Sequence, residues 1–181
     1  MCRTTITLAA LFLFLITIAP GLHAQQRGND SPRVSPNAAV EQTVGTTEIR
    51  VTYGRPSVNG RDIFSSNGLV PYGNVWRTGA NETTNITVSG PIEIAGESLP
   101  AGTWSLYTVP GPSQWSVILN EKLSWGTQYD ESQDLFRAAV SIESADHQEQ
   151  FLIAFEEVSH SSATLVLHWA GVRVPIPVTV P

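Results

Sequence analysis

Thiol chemistry is all but absent from this chain, whose one cysteine, Cys2, stands at its extreme start. No small-residue cleavage site precedes Cys2, so it is not a lipid-attachment cysteine, and nothing downstream can form a disulfide. Stability has to come from a packed core. Lysine is as scarce: Lys122 stands alone, against sixteen acidic side chains. That balance argues against nucleic acid and anionic membrane as partners, since both attract clustered positive charge. The signatures of common catalysts are missing as well: there is no nucleophile elbow, no His-Glu-x-x-His, no phosphate-binding glycine loop and no cysteine nucleophile. No His-x-His pair occurs on a strand, which removes the cupin metal site, and no metal or other cofactor is expected. Nor does any window after the first 24 residues carry an apolar stripe at helical spacing.

What is present begins with "MCRTTITLAALFLFLITIAPGLHAQQ": Arg3, an apolar run from Ile6 to Ala19, Pro20-Gly21, then Leu22-His23-Ala24 ahead of polar residues. This is the pattern of a secretory signal peptide over 1–24, cut near Ala24. The run is shorter than the ~20 residues of a spanning helix, so no membrane insertion is expected after cleavage, and a secreted or periplasmic location follows. Residues 25–38, "QQRGNDSPRVSPNA", are polar, proline-bearing and aperiodic, and read as a disordered leader. Residues 39–181 then make a single domain, long enough for a sizeable core. Without Arg3 there are nine basic and sixteen acidic side chains, a net charge near −7 that favours solubility.

The domain alternates almost throughout. "VEQTVGTTEIRVTYGRP" offers a strand or hairpin ending at Gly54 and Pro56. "TTNITVSGPIEIAGESLPAGTWSLYTVPGPSQWSVILNE" reads as four strands parted by Ser89-Gly90, Ala95-Gly96-Glu97 and Pro110-Gly111-Pro112. Phe136, Ala138, Val140 and Ile142 share a face, and "FLIAFEEV" and "ATLVLHWAG" flank the turn "SHSS". Val172, Val174, Ile176, Val178 and Val180 alternate with Arg173, Pro175, Pro177 and Thr179, which turns the apolar five inward. Two prolines cannot donate ladder hydrogen bonds, so this strand lies at an edge or is half paired. Eight or nine short strands with regular turn signals predict an all-β fold, an antiparallel β-sandwich of jelly-roll-like form.

One segment interrupts the rhythm: Gly54 to Asn81 shows no clean alternation. A loop of that length in a small domain is functional or folded over the sheet as a lid. Its stretches "RPSVNGRDIF" and "LVPYGNVWRTGANETT", with "LPAGTWSLYTVPG" and "WSVILNE" followed by "WGTQYD", resemble the successive signatures of the bacterial family called domain of unknown function 2911. The resemblance covers roughly residues 40–180. It implies a secreted or envelope-located β-rich protein and no established activity.

Candidate residues concentrate in this loop. Arg55, Arg61 and Arg77 lie in it with Asp62 and Glu82. In one reading, Tyr72, Trp76, Arg77, Asn81 and Glu82 rim a cleft, the arginine fork meeting carboxylate, sulfate or sugar hydroxyls and the aromatics giving stacking faces. In the other, Arg77 and Glu82 partner each other or loop carbonyls, and Trp76 plugs the core. Trp125 and Tyr129, in a second loop, form a candidate platform of the kind that binds carbohydrate. His168 reads as a lone satisfied histidine, too far along its strand from His160 to share a metal. The functional expectation is a non-catalytic module binding a small polar ligand, a glycan or an envelope component. Two alternatives stay open: a hydrolase or lyase acting on a glycan or ester through Arg77 with Glu82 or Asp62, and a purely structural interaction module.

Overall fold

The computed structural model describes Arg27, Gly28 and residues 30–181, so the expected signal peptide lies outside the described residues. Period-two alternation becomes ten strands: β1 Asn37–Val44, β2 Thr47–Gly54, β3 Thr84–Val88, β4 Ile92–Ile94, β5 Glu97–Leu99, β6 Gly102–Val109, β7 Gln114–Asn120, β8 Asp134–Ser141, β9 Glu143–Glu156 and β10 Ser162–Thr179. The number exceeds the eight or nine expected because the region read as four strands holds five. Pro100-Ala101 ends β5 and starts β6, a break hidden inside the apparent run from Leu99 to Val109.

Two antiparallel sheets face each other, one in the order β1-β2-β3-β6-β7-β8 and the other β5-β4-β10-β9. The chain is therefore an all-β sandwich. Its large sheet is a meander interrupted by the β4–β5 hairpin, which crosses to the second sheet, whereas a jelly roll would interleave strands of both sheets more deeply. Inward residues of both sheets make one core, with Ile49, Val51, Ile86 and Leu106 on one side and Ile94, Ile153, Leu165 and Ile176 on the other, all at 0–1% exposure.

The proline-bearing end of β10 is half paired. It ladders with β9 as far as Arg173 and with β4 only at Val178 and Thr179, so Pro175 and Pro177 fall where no donor is required. Val174, Ile176 and Val178 turn into the core, while Arg173 pairs outside with Glu143 and Glu156.

The long loop, residues 55–83, closes over the sandwich as a packed lid. Val58, Ile63, Val70 and Trp76 enter the core, and Phe64 packs against it. Main-chain bonds hold both ends: Val58 N–H to Glu149 O at 2.8 Å, and Trp76 N–H to Thr108 O at 2.7 Å with the return bond at 2.9 Å. Gly54 is required where the loop doubles back, because a Cβ there would lie 2.3 Å from Ala80 O.

Candidate functional site

Trp76 and Arg77 are neighbours with different surroundings, the indole packed into the core and the arginine stem against Gly126. Trp76 faces the core at 7% exposure, stacked on Trp169 at 5.7 Å and 17° and edge-on to Phe151 at 5.1 Å. Its indole N–H donates to Gly79 O at 3.1 Å, so the ring buries no unpaired donor. The turn beyond it is strained: Thr78 has φ 52° and Asn81 φ 65°. Asparagine tolerates that conformation, but a β-branched threonine does not adopt it unless its surroundings impose it. Thr78 Oγ1 is bonded to Thr108 Oγ1 at 3.1 Å and its carbonyl accepts from Thr84 Oγ1 at 2.6 Å, which supplies the constraint.

Between this turn, the start of the loop and the leader lies a cleft of about 370 Å³. Trp76 and Trp169 form part of its floor, with Val70 and Ala80, and Ser35, Ser57, Asn59 and Arg61 supply its polar groups. Arg61 is positioned by donating to Ser57 O at 2.6 Å and Val58 O at 3.0 Å, which leaves the guanidinium at the mouth while fixing the local turn. Of the residues singled out from the sequence, the cleft gathers Arg61, Trp76 and Arg77.

Arg77 and Glu82 are not partners. Glu82, its side chain only 5% exposed, accepts from Arg33 at 2.7 and 3.0 Å and from Arg27 at 3.5 Å, both in the leader. Burial alone would raise the Glu82 carboxyl, but the hydrogen bond from Arg33 and the nearby guanidinium charges outweigh it and hold the carboxyl below its ordinary value. Asn81 ties the leader from the same turn, donating to Ser35 O at 3.0 Å. The span expected to be a disordered leader is thus partly structural: β1 already begins at Asn37, and Arg27, Arg33 and Ser35 make long-range bonds. The buried carboxylate explains why a polar, aperiodic stretch takes a defined path.

The Arg77 guanidinium makes no hydrogen bond or ion pair among the described residues, and its Nε is buried without an acceptor. Burial lowers its pKa, with the Tyr107 hydroxyl as a smaller opposing influence. The stem runs against Gly126, where a Cβ would lie 1.9 Å from Arg77 Cδ, so glycine is needed to admit it. Arg77→Met keeps the stem and removes the unpaired donor. Urea unfolding is expected to show stability unchanged or raised by about 1 kcal/mol. A loss above about 2 kcal/mol would mean that the guanidinium has a partner in solution.

The remaining candidates lie apart. Tyr72 sits where its N–H donates to Ser65 O at 3.2 Å, beside the turn at Pro110, and does not line the cleft. Trp125 is 49% exposed and its backbone bridges Glu82. Tyr129 does not join it in a platform: its ring packs on Tyr107 at 4.9 Å and its hydroxyl donates to Asp134 at 2.6 Å. Asp62 accepts from Ser65 within its own turn, and His168 Nε2 bonds Asp146 O at 3.0 Å. Among the described residues no group of three His, Cys, Asp or Glu side chains is placed to hold a metal. Sequence reasoning missed Arg27, Arg33 and Ser35. The available signal was two arginines in a short polar leader of an acidic chain.

The architecture is that of a two-sheet antiparallel sandwich in which a packed loop and an N-terminal segment frame a cleft. The chain matches the family model described as protein of unknown function, DUF2911, over residues 35–178, and it belongs to that family. No curated protein and no solved structure matches it.

Proposed function

We propose that this chain is an exported, non-catalytic binding module whose cleft takes a small polar ligand of about the size of one sugar ring. The observation that carries the reading is the cleft itself, which sets an apolar floor containing two tryptophans beneath Ser35, Ser57, Asn59 and Arg61. An apolar floor with a few placed polar groups is the usual form of a small-molecule site. The signal-like start of the sequence supports export. The carboxylates support binding over hydrolysis. Neither Glu82 nor Asp62 lines the cleft: Glu82 is engaged by two arginines of the leader, and Asp62 by Ser65.

Ligand-observed NMR with a panel of monosaccharides, uronic acids and small carboxylates tests this. At least one is expected to bind, and Leu69→Trp, which adds bulk at an exposed lining position, is expected to weaken it about tenfold or more with an unchanged melting temperature. Absence of binding across the panel, or binding indifferent to Leu69→Trp, sinks the reading.

A further inference from the structure

The surroundings of Glu82 form a second pocket whose chemistry the cleft does not use. Its groups are acceptors: the Glu82 carboxylate and the main-chain carbonyls of Thr52, Glu82 and Thr83. A guanidinium fills it. Arg27 Nη2 donates to Thr83 O at 2.7 Å, Glu82 O at 3.1 Å and Thr52 O at 3.4 Å, and the Arg27 side chain is only 7% exposed. Arg33 adds the shorter bonds to the carboxylate from nearer the surface. The guanidinium spans both parts of the set, Nη2 on the carbonyls and Nη1 toward the carboxylate, a reach that the single nitrogen of a lysine ammonium at the Nη2 position does not have.

We propose that the Glu82 pocket is a receptor for an arginine side chain carried on an extended peptide, filled in cis by Arg27 and open to an arginine-bearing segment of another chain when the leader withdraws. The inference is independent of what the cleft binds. Three observations favour exchange over a permanent strut. Arg27 precedes β1, the first strand, so it can leave without unpairing a ladder. Its fit is imperfect: Nε is buried without an acceptor, and its bond to the Glu82 carboxylate is long at 3.5 Å. Burial also lowers its pKa to about 10, which marks a desolvation cost that Glu82 only partly offsets. Beside the pocket, the half-exposed Trp125 is paired through its backbone to Glu82 and offers an apolar face to residues flanking an incoming arginine.

Calorimetry of the full chain carrying R27A/R33A, with a synthetic peptide of residues 27–36 as probe, tests the receptor. The variant is expected to bind the peptide about tenfold or more tightly than the wild type does, because the pocket is empty. Replacing both peptide arginines by citrulline is expected to weaken binding about tenfold or more, as loss of a charge-assisted hydrogen bond does, and adding E82Q is expected to abolish it. Equal binding of the citrulline peptide, binding that survives E82Q, or no binding to a folded variant each overturns the proposal. Should the variant fail to fold, NMR of the Arg27 Nε–Hε group in the wild type decides, since that group is buried only while the side chain is seated. Tens of millimolar propylguanidinium, but not tetramethylammonium at equal ionic strength, is expected to move its resonance to the free-arginine position. An unmoved resonance overturns the proposal.

Discussion

Trp76→Ala is expected to lower the free energy of unfolding in urea by about 3–5 kcal/mol, the range for deleting a large buried aromatic. The ring touches Phe64, Trp115, Phe151 and Trp169, so its removal opens a cavity bounded by rigid rings that have no short side chain to move into it. It also strands Gly79 O, the acceptor of its indole N–H. Trp76→Phe keeps most of the volume and loses the hydrogen bond, and should cost clearly less. Because Trp76 carries the lid's main-chain bridge to Thr108, hydrogen exchange in residues 70–83 should accelerate more than in β2 or β7. A loss under about 1 kcal/mol would place the ring outside the core and make it available as a stacking face for ligand.

That result bears on how a loop can serve both packing and binding. The two tryptophans in the cleft floor are 7% and 2% exposed, so a ligand bound there as proposed would meet their margins, while their faces belong to the core. Rigidity of the floor follows from the packing, and adaptability is left to Arg61, Asn59 and the leader at the rim. A binding site built this way loses little entropy on occupation, since only rim side chains remain to be ordered.

Wherever a local period decides the outcome, the residues were sufficient. Phe136, Ala138 and Val140 alternate along β8, and Val174, Ile176 and Val178 along β10, and in each the apolar set faces the core. The prolines at 175 and 177 likewise announced incomplete pairing. Long-range choices were not legible. Nothing local distinguishes Arg77 from Arg33 as the partner of Glu82, because the selection is made by where the leader crosses β2 and β3, tens of residues away in sequence. Tyr129 shares its loop with Trp125, yet it is drawn away by Asp134 and Arg137, which reach it only once β8 has folded back on β7. The residues thus pointed to the loop that closes over the sandwich, while which of its side chains come together depended on contacts between distant segments. The leader's part escaped because composition reports the absence of a core and says nothing of a buried carboxylate waiting elsewhere.

Ile176→Asp is the other substitution with a large expected effect, and it tests the fold where the sequence pattern was clearest. Ile176 is 0% exposed, and it lies between the half-buried Pro175 and the exposed Pro177. An aspartate there has no partner in its surroundings of Val174, Val178 and the facing sheet. It must stay ionised in an apolar medium or take up a proton, and each unit of upward pKa shift costs about 1.4 kcal/mol at neutral pH. Added to the loss of a buried aliphatic side chain, worth about 2–5 kcal/mol, the total approaches the whole stability of an ordinary domain. The variant should be largely unfolded at pH 7 by circular dichroism and should recover part of its structure near pH 4, where protonation of the new carboxyl is cheap. Ile176→Val, which keeps the inward apolar group, should lose only about 0.5–1.5 kcal/mol. A cooperative transition for Ile176→Asp within about 1 kcal/mol of wild type would mean that the side chain reaches solvent, and the inward register of β10 would then be wrong.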